Sequence, residues 1–323
     1  MKVGVIVLNW NNSPDTLRCL ESVLALQHRE IFLYVVDNGS SDSSASRIRD
    51  WLSDRQPSEA SRRTSSSPST DTRDAAGMSV ELVELDRNLG YAAGNNAGIR
   101  RALAAGCDAV WILNNDTIVA ADSLSALVEM AESVDRIGII GACILEDDAP
   151  TVVQCLGGGK YNWALSKVDL VAAGADVARP GPWLDARPDF IAGSCMFVLR
   201  STLERVGLLA EEFFLYGEEI DFTERCRRAG LGITVCAAAR VWHKYGATTG
   251  ASRRSAAKSR LVAFYGTRSA IRLTLKYRPQ YLPSVVVLRV GYALVLAVQR
   301  RYRLAASVAR GILSGLSMRA TPP

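Results

Sequence analysis

Several common signatures are missing from this 323-residue sequence, and each absence removes a class of function. Seven cysteines are present, an odd number, and no two form a C-x-x-C pair, which argues against zinc ligation and predicts reduced, buried, cytosolic thiols. Neither G-x-G-x-x-G nor G-x-x-x-x-G-K-[ST] occurs, so dinucleotide binding and P-loop hydrolysis lose support. The opening apolar run, Val3 to Leu8, breaks at once into Asn9-Trp10-Asn11-Asn12 and reads as a strand, not as a cleavable signal. Histidine is scarce, with only His28 and His243. No acidic residue follows Glu224, while 19 of the 38 Lys and Arg residues do.

What is present is an ordinary globular composition, 48% hydrophobic and 22% charged, enough for one large α/β domain with an appendage. The organising stretch is Ala109 to Asp116, five apolar residues that run into Asn114-Asn115-Asp116. Such a run suits a parallel strand covered on both faces, and ligands bind beyond the carboxyl ends of such strands. Val3 to Leu8, Ile31 to Val36 and Val80 to Leu85 repeat the pattern and end in Asn9-Trp10-Asn11, Asp37-Asn38 and Asp86-Arg87-Asn88. In a parallel sheet all four polar tips fall on one edge.

Helices are predicted between these strands. Ser13-Pro14 is read as a cap with proline at the first helical position, and Asp122 as the cap of a helix carrying Leu124, Leu127 and Val128. His28 is read as a dipole partner at the end of the first helix. Residues 53–79 hold eight serines, two prolines and Met78 as the one large apolar residue, and read as a disordered insertion. From Ile139 to Asp189 the pattern loosens into a substrate-facing excursion, and Phe190 to Leu199 resumes as one strand. Phe213 to Gly217 then delivers Glu218-Glu219-Ile220-Asp221 to a helix start, where Glu218 and Asp221 share a face and Glu219 lies on another.

Six elements in order resemble the inverting family-two nucleotide-sugar glycosyltransferases of the GT-A fold, in particular their rhamnosyltransferase- and galactofuranosyltransferase-like branch. They are Val5-Ile6-Val7-Leu8-Asn9-Trp10-Asn11, Val36-Asp37-Asn38-Gly39-Ser40-Ser41-Asp42, Asn88-Leu89-Gly90-Tyr91-Ala92-Ala93-Gly94-Asn95-Asn96-Ala97-Gly98, Leu113-Asn114-Asn115-Asp116-Thr117, Gly217-Glu218-Glu219-Ile220-Asp221 and Val241-Trp242-His243. The resemblance implies a Rossmann-like, mostly parallel sheet flanked by helices over residues 1–250. It implies a donor site drawn from Asn9, Asn11, Asp37, Asn38, Asn88, Gly90, Gly94, Asn96, Asn115 and Asp116, with Asp37 on the nucleobase or ribose. Asp116 and His243 would hold Mn²⁺ or Mg²⁺ on the donor diphosphate, although Asn114 stands where many relatives carry an acid. Glu219 would be the general base, with Asp221 second; Glu219 stands where the family usually has aspartate.

Residues 251–323 form the cationic end. Residues 1–224 hold 19 basic against 33 acidic residues, a net −14, whereas 225–323 carry +19. Basic and apolar residues interleave over 253–278 as in interfacial helices, and Leu282 to Val298 is an apolar run of 17 residues interrupted by Pro283 and Arg289. The expectation is a basic amphipathic helical region that docks on an anionic membrane surface, with room for a homodimer and no nucleic-acid partner, in an enzyme at the cytoplasmic face of the cell membrane. The expected partners are a dTDP-, UDP- or GDP-linked sugar, rhamnose among them, and a lipid-linked or polysaccharide acceptor. A non-catalytic nucleotide-sugar-binding protein and a nucleotidyltransferase are the alternatives.

Overall fold

The computed structural model describes residues 1–55, 72–73, 78–244 and 260–317. Parallel strands β1 (Val3–Asn9), β2 (Ile31–Asp37), β4 (Ser79–Glu84) and β5 (Ala109–Asn114) stand side by side in the order β4-β2-β1-β5. Their apolar residues alternate between two cores. Val3, Val5, Val7, Trp111 and Leu113 pack on one face with α1 (Ser13–Leu24) and α2 (Ser44–Ser53). Ile6, Val110 and Ile112 pack on the other with α3 (Gly90–Ala104). Burial on both faces explains why these strands read as continuous apolar runs. Gly98 and Gly94 bring α3 against β1: a Cβ on Gly94 would stand 2.6 Å from Leu8 Cδ1.

The second half of the sheet is mixed. Antiparallel β12 (Cys195–Leu199) joins β5 to β7 (Ile137–Glu146), β13 (Gly232–His243) runs parallel to β7, and β6 (Thr117–Val119) and β8 (Ala149–Leu156) are antiparallel additions. The register sets Asn9 beside Asp37, Leu8 beside Asn114, and His243 beside Thr117. The polar tips therefore do gather on one edge, and β13 adds His243 to them.

The expected strand Phe190 to Leu199 divides. Phe190–Ile191, here β11, pairs with β9 (Gly158–Asn162), which also pairs with β10 (Lys167–Leu170) in a small three-stranded sheet. Only Cys195–Leu199 enters the main sheet, because Ala192 to Ser194 turn the chain between the two. Ile139 belongs to the buried strand β7, so the expected excursion begins later, at β8. Asn12, not Ser13, is the N-cap of α1, with Pro14 in its first turn, and Asp122 is the N-cap of α4 (Ser123–Ser133). His28 lies beyond α1 and donates from Nε2 to the Met1 carbonyl at 2.8 Å, so it serves the chain start and not the helix dipole. All seven cysteines are buried, and none is in a disulfide.

Most of the expected insertion lies outside the described residues. Its edges are ordered: Ser53 closes α2, Thr72–Arg73, here β3, pairs antiparallel with β4, and Met78 is buried.

Beyond α5 (Arg200–Val206) and α6 (Glu218–Arg228), the chain ends in three helices, α7 (Arg260–Tyr277), α8 (Leu282–Val298) and α9 (Tyr302–Ser317). One side of α7 packs Leu273 and Tyr277 against Phe213 and Ile220. Its other side meets α8 and α9 through Ile271, Val285, Leu296, Val308 and Ile312. Much of the positive charge on α7 is answered within the chain: Arg272 and Lys276 pair with Glu212, and Lys276 also with Asp221 at 2.6 Å.

Candidate active site

The polar edge opens onto a cleft of about 580 Å³. Asp116, just past β5, and His243, the last residue of β13, face each other with Oδ1 and Nε2 at 3.2 Å, and both are buried. The ring's other nitrogen fixes its tautomer. Gln154 Nε2 donates to Glu146 Oε2 at 3.0 Å and to the His243 carbonyl at 3.2 Å, which leaves Gln154 Oε1 to accept from His243 Nδ1 at 2.7 Å. In the neutral ring Nδ1 carries the hydrogen and Nε2 turns a lone pair to the cleft edge, where the Asn114 Nδ2 amide donates to it at 3.4 Å. A lone pair and a carboxylate oxygen so close together are a geometry that a cation between them relieves. Two protein donors are fewer than a hard divalent cation needs, so phosphate and water oxygens must complete its shell. Among the described residues no three His, Cys, Asp or Glu side chains form such a shell by themselves.

Gln154 was not legible in the sequence, since it reaches the site from β8 through a partner 89 residues away. Partners that orient a ligating histidine typically contribute 10- to 100-fold in metal affinity. Gln154→Ala is therefore expected to weaken Mn²⁺ binding, titrated beside a nucleoside diphosphate, by about 10-fold or more. An unchanged titration would mean that the ring is held by other contacts.

Across the cleft stands the N-terminus of α6. Tyr216 and Gly217 both adopt positive φ, 64° and 96°, to turn the chain into the helix. Gly217 is required there, because a Cβ would meet Leu273 Cδ1 at 3.0 Å as well as a strained backbone. The turn aims Glu218 and Glu219 into the cleft, and the Gly217 amide donates to Glu219 Oε2 at 3.0 Å. Asp221 points elsewhere. Its carboxylate accepts from Arg225 Nε at 2.8 Å and Tyr277 OH at 2.6 Å and pairs with Lys276, all away from the cleft. The expected second base is thus a buried clasp between α6 and α7, and Glu218 is the neighbour that shares the cleft with Glu219.

Burial raises both glutamates above the ordinary carboxylate range, Glu218 furthest, because it also faces the negative charge of Glu219. Glu218 Oε2 is buried without a hydrogen-bond partner. Glu218 accordingly holds its proton while Glu219 ionises, helped by the Gly217 amide and by Glu218 itself. Above the ordinary glutamate pKa the folded Glu218 keeps a proton that the unfolded chain releases, so its contribution to stability falls as pH rises toward its folded value. Glu218→Gln matches the protonated shape. It is expected to raise the melting temperature at pH 8 by about 2 °C or more, with the gain shrinking toward pH 4. A lower melting temperature at pH 8 would show that the carboxylate is the form the fold requires.

The third wall is the Asn88–Gly90 loop. Asn38 shapes it, donating from Nδ2 to Asn88 Oδ1 and the Gly90 carbonyl at 3.1 Å and accepting from the Leu89 amide at 2.9 Å. Gly90, at φ 87°, lets the Phe214 backbone approach: a Cβ would lie 2.5 Å from the Phe214 carbonyl oxygen. Of the residues expected at the donor, Asn38, Asn88, Gly90, Asn115 and Asp116 line the cleft. Asn9, Asn11, Asp37, Gly94 and Asn96 lie outside that lining. Asn9 Nδ2 and Ser40 both donate to Asp37, and Asn11 Oδ1 accepts from the Ser41 amide, so this group folds the turn after β2. Asn96 clamps the Leu209 backbone by donating to its carbonyl and accepting from its amide. Much of the remaining lining is apolar, with Val168, Leu170, Phe190, Leu215 and Leu261 among its walls beside the polar Asn114 and Ser194.

A family model described as glycosyltransferase-like family 2 matches residues 2–260. The chain belongs to this family. This glycosyltransferase is similar to two named relatives. It is 26% identical over 242 residues to the low-salt glycan biosynthesis hexosyltransferase Agl10 of Haloferax volcanii, covering 72% of this chain and 64% of that protein. It is 26% identical over 270 residues to the N-acetylglucosaminyl-diphospho-decaprenol L-rhamnosyltransferase of Mycobacterium tuberculosis, covering 76% of this chain and 77% of that one. Among solved structures, the fold is shared with the mannosyltransferase PcManGT of Pyrobaculum calidifontis in complex with GDP-Man and Mn²⁺, at a TM-score of 0.55, 15% identity and coverage of 98% and 87%. It is also shared with GalNAc-T7 bound to UDP, GalNAc and Mn²⁺, at a TM-score of 0.60, 14% identity and coverage of 87% and 49%. The family-2 glycosyltransferase thus has the GT-A architecture, an α/β fold with a mostly parallel central sheet flanked by helices.

Proposed function

We propose that this glycosyltransferase moves a hexose, rhamnose first among those to test, from a nucleoside diphosphate to a lipid-linked or polysaccharide acceptor of the cell envelope, with inversion at the anomeric carbon. The observation that carries the reading is one cleft that holds a cation-ready Asp116–His243 pair and an ionisable Glu219 on a separate wall. Asp116 Oδ1 and His243 Nε2 would hold the Mn²⁺ or Mg²⁺ that travels with the donor diphosphate, and the chemistry such an ion would supply when bound is neutralisation of the charge that builds on the leaving diphosphate. Glu219 takes the proton of the acceptor hydroxyl as its oxygen attacks from the face opposite the diphosphate. The Asn88–Gly90 loop lines the sugar–diphosphate side, and the turn ordered by Asp37 supports the nucleobase or ribose.

The acceptor and the location follow the same reasoning. The apolar walls of the cleft suit a lipid-linked acceptor, and the Mycobacterium tuberculosis relative is named for one. Residues 1–250 act as the catalytic unit and 251–323 bring it to the cytoplasmic face of the membrane. The test supplies purified protein with dTDP-rhamnose and with UDP- and GDP-linked hexoses, Mn²⁺ and a polyprenyl-diphosphate-linked sugar. Release of nucleoside diphosphate with a glycosylated lipid is the expected result. Pyrophosphate release from a nucleoside triphosphate and a sugar phosphate would mark a nucleotidyltransferase, and nucleotide binding without transfer a non-catalytic binder.

A further inference from the structure

Helix α8 turns one side to the protein and the other to solvent. Val285 and Leu296 are buried against α7 and α9, while Val287 is 69% exposed, Leu294 63% and Val298 85%. Val290 and Val295 extend the same outward face, which has no charged residue between Leu282 and Val298. The one charge in the helix, Arg289, is turned inward, where its guanidinium donates to the Ser166 carbonyl and hydroxyl at 3.3 and 3.2 Å. Pro279–Val298 is long and apolar enough to cross a membrane by length and composition, with only 11% of its apolar window buried, and its contacts with α7, α9 and the hairpin lie along one side. A helix held along one side presents a face, not a span.

The inward contacts lead to the cleft. Ser284 donates to the Ala164 carbonyl at 2.8 Å, so α8 holds the tip of the β9–β10 hairpin at two points, Ala164 and Ser166. Leu165 at that tip is 52% exposed, and Val168, 40% exposed, both follows it on β10 and lines the cleft. Leu165, Val168 and Leu170 thus give the hairpin an apolar side that leads from its tip to the cleft, while Lys167 and Asp169 alternate with them along β10 and pair with each other. Beyond α8, Arg300, Arg303 and Arg310 are exposed, in a part of the chain that holds no acidic residue to answer them. Apolar surface flanked by uncompensated arginine matches an anionic bilayer interface, whose headgroups take the arginines and whose acyl region takes the valines and leucines.

We infer that the outward face of α8, with the tip of the β9–β10 hairpin, rests in the surface of an anionic lipid bilayer, and that the hairpin is the edge over which a lipid-borne acceptor enters the cleft. The second clause rests on the lipid-linked acceptor proposed above; the first stands without it. It also accounts for Arg289, which interrupts the apolar run in sequence but leaves the lipid-facing side uncharged in space.

The test uses the full chain in flotation with phosphatidylglycerol-containing vesicles, with phosphatidylcholine vesicles for comparison. The wild type should float with the anionic vesicles, and V287D/L294D should lose binding by about 10-fold or more, since each change puts a charge where the bilayer needs apolar surface. V134D, at a valine 43% exposed just past the end of α4, should float as the wild type does. Nucleoside-diphosphate titration should be unchanged in V287D/L294D, which shows that the variant is folded and keeps the donor site separate from the surface. Transfer to a vesicle-borne acceptor should fall with binding, while transfer to a detergent-dissolved acceptor should not. Equal flotation of wild type and V287D/L294D, or no flotation of either, would overturn the inference. So would a wild-type dimer, seen by sedimentation velocity, that V287D/L294D dissociates, because the face would then join two copies. Vesicle binding without transfer to any acceptor would keep the bilayer face and defeat the acceptor reading instead.

Discussion

Replacing Glu219 with glutamine is expected to lower turnover about 100- to 10,000-fold while nucleoside-diphosphate binding stays within about twofold, because a general base contributes to the transition state and not to donor affinity. The substitution keeps the side chain's length and its Oε acceptor for the Gly217 amide, so the turn into α6 is preserved. Only the ability to take a proton is lost. Burial raises the Glu219 carboxyl above the ordinary glutamate range, so wild-type turnover should climb with pH through that raised value and level off above it. The residual rate of the glutamine variant should lack this acidic limb. A variant with near-wild-type turnover would remove Glu219 from the mechanism and turn attention to Glu218, which shares the cleft. Asp221 is not the next choice, since Arg225, Lys276 and Tyr277 hold its carboxylate between two helices.

The role of glutamate in place of the aspartate usual in the family has a geometric side. One further methylene carries the carboxylate about 1.5 Å on, and misplacement of about 1 Å can cost about 100-fold. The tether from the Gly217 amide to Glu219 Oε2 limits where that longer side chain can go. Glycine at φ 96° and tyrosine at φ 64° just before the helix show that the backbone, too, is committed to this placement.

Which parts of this arrangement were readable from the sequence follows from how local each one is. The four strands announce themselves because burial on both faces demands uninterrupted apolar residues, and each polar tip follows its strand directly, so the clustered edge needs no knowledge of distant pairing. His243 could be placed at the site only through resemblance, since its approach to Asp116 depends on β13 pairing with β6 across more than a hundred residues. The rotation of α6 was only partly readable: three-residue spacing groups Glu218 with Asp221 and sets Glu219 apart, whereas the cleft takes Glu218 and Glu219 together, because the turn at Tyr216 and Gly217 aims the helix start at it. The insertion of antiparallel β12 between β5 and β7 has no local signal, and the break at Ala192 to Ser194 is marked only by the turn formers Gly193 and Ser194.

Charge was the least faithful guide. The excess of arginine and lysine after Glu224 suggested an anionic partner throughout, yet α7 spends Arg272 and Lys276 on Glu212 and Asp221 of the same chain. Such pairs are invisible to composition because the partners are about sixty residues apart. Among the described residues, the exposed Arg300, Arg303 and Arg310 lie beyond α8, which narrows the membrane reading from the whole tail to one helix face and its flank.

The account as a whole depends on Asp116 and His243 holding a cation that joins the donor diphosphate to the sheet edge. The most direct measurement is calorimetric titration of UDP, dTDP and GDP, each with and without Mn²⁺, into the wild type and Asp116→Ala. On this account Asp116 would be one of two protein ligands, so its loss should exceed the 10- to 100-fold typical of an orienting partner, and the Mn²⁺-dependent binding should weaken by more than about 100-fold. The predicted result is one nucleotide bound tightly only with Mn²⁺ by the wild type and not measurably by the variant. Binding of the same nucleotide to both proteins with equal affinity, or to the wild type without regard to Mn²⁺, would contradict the account.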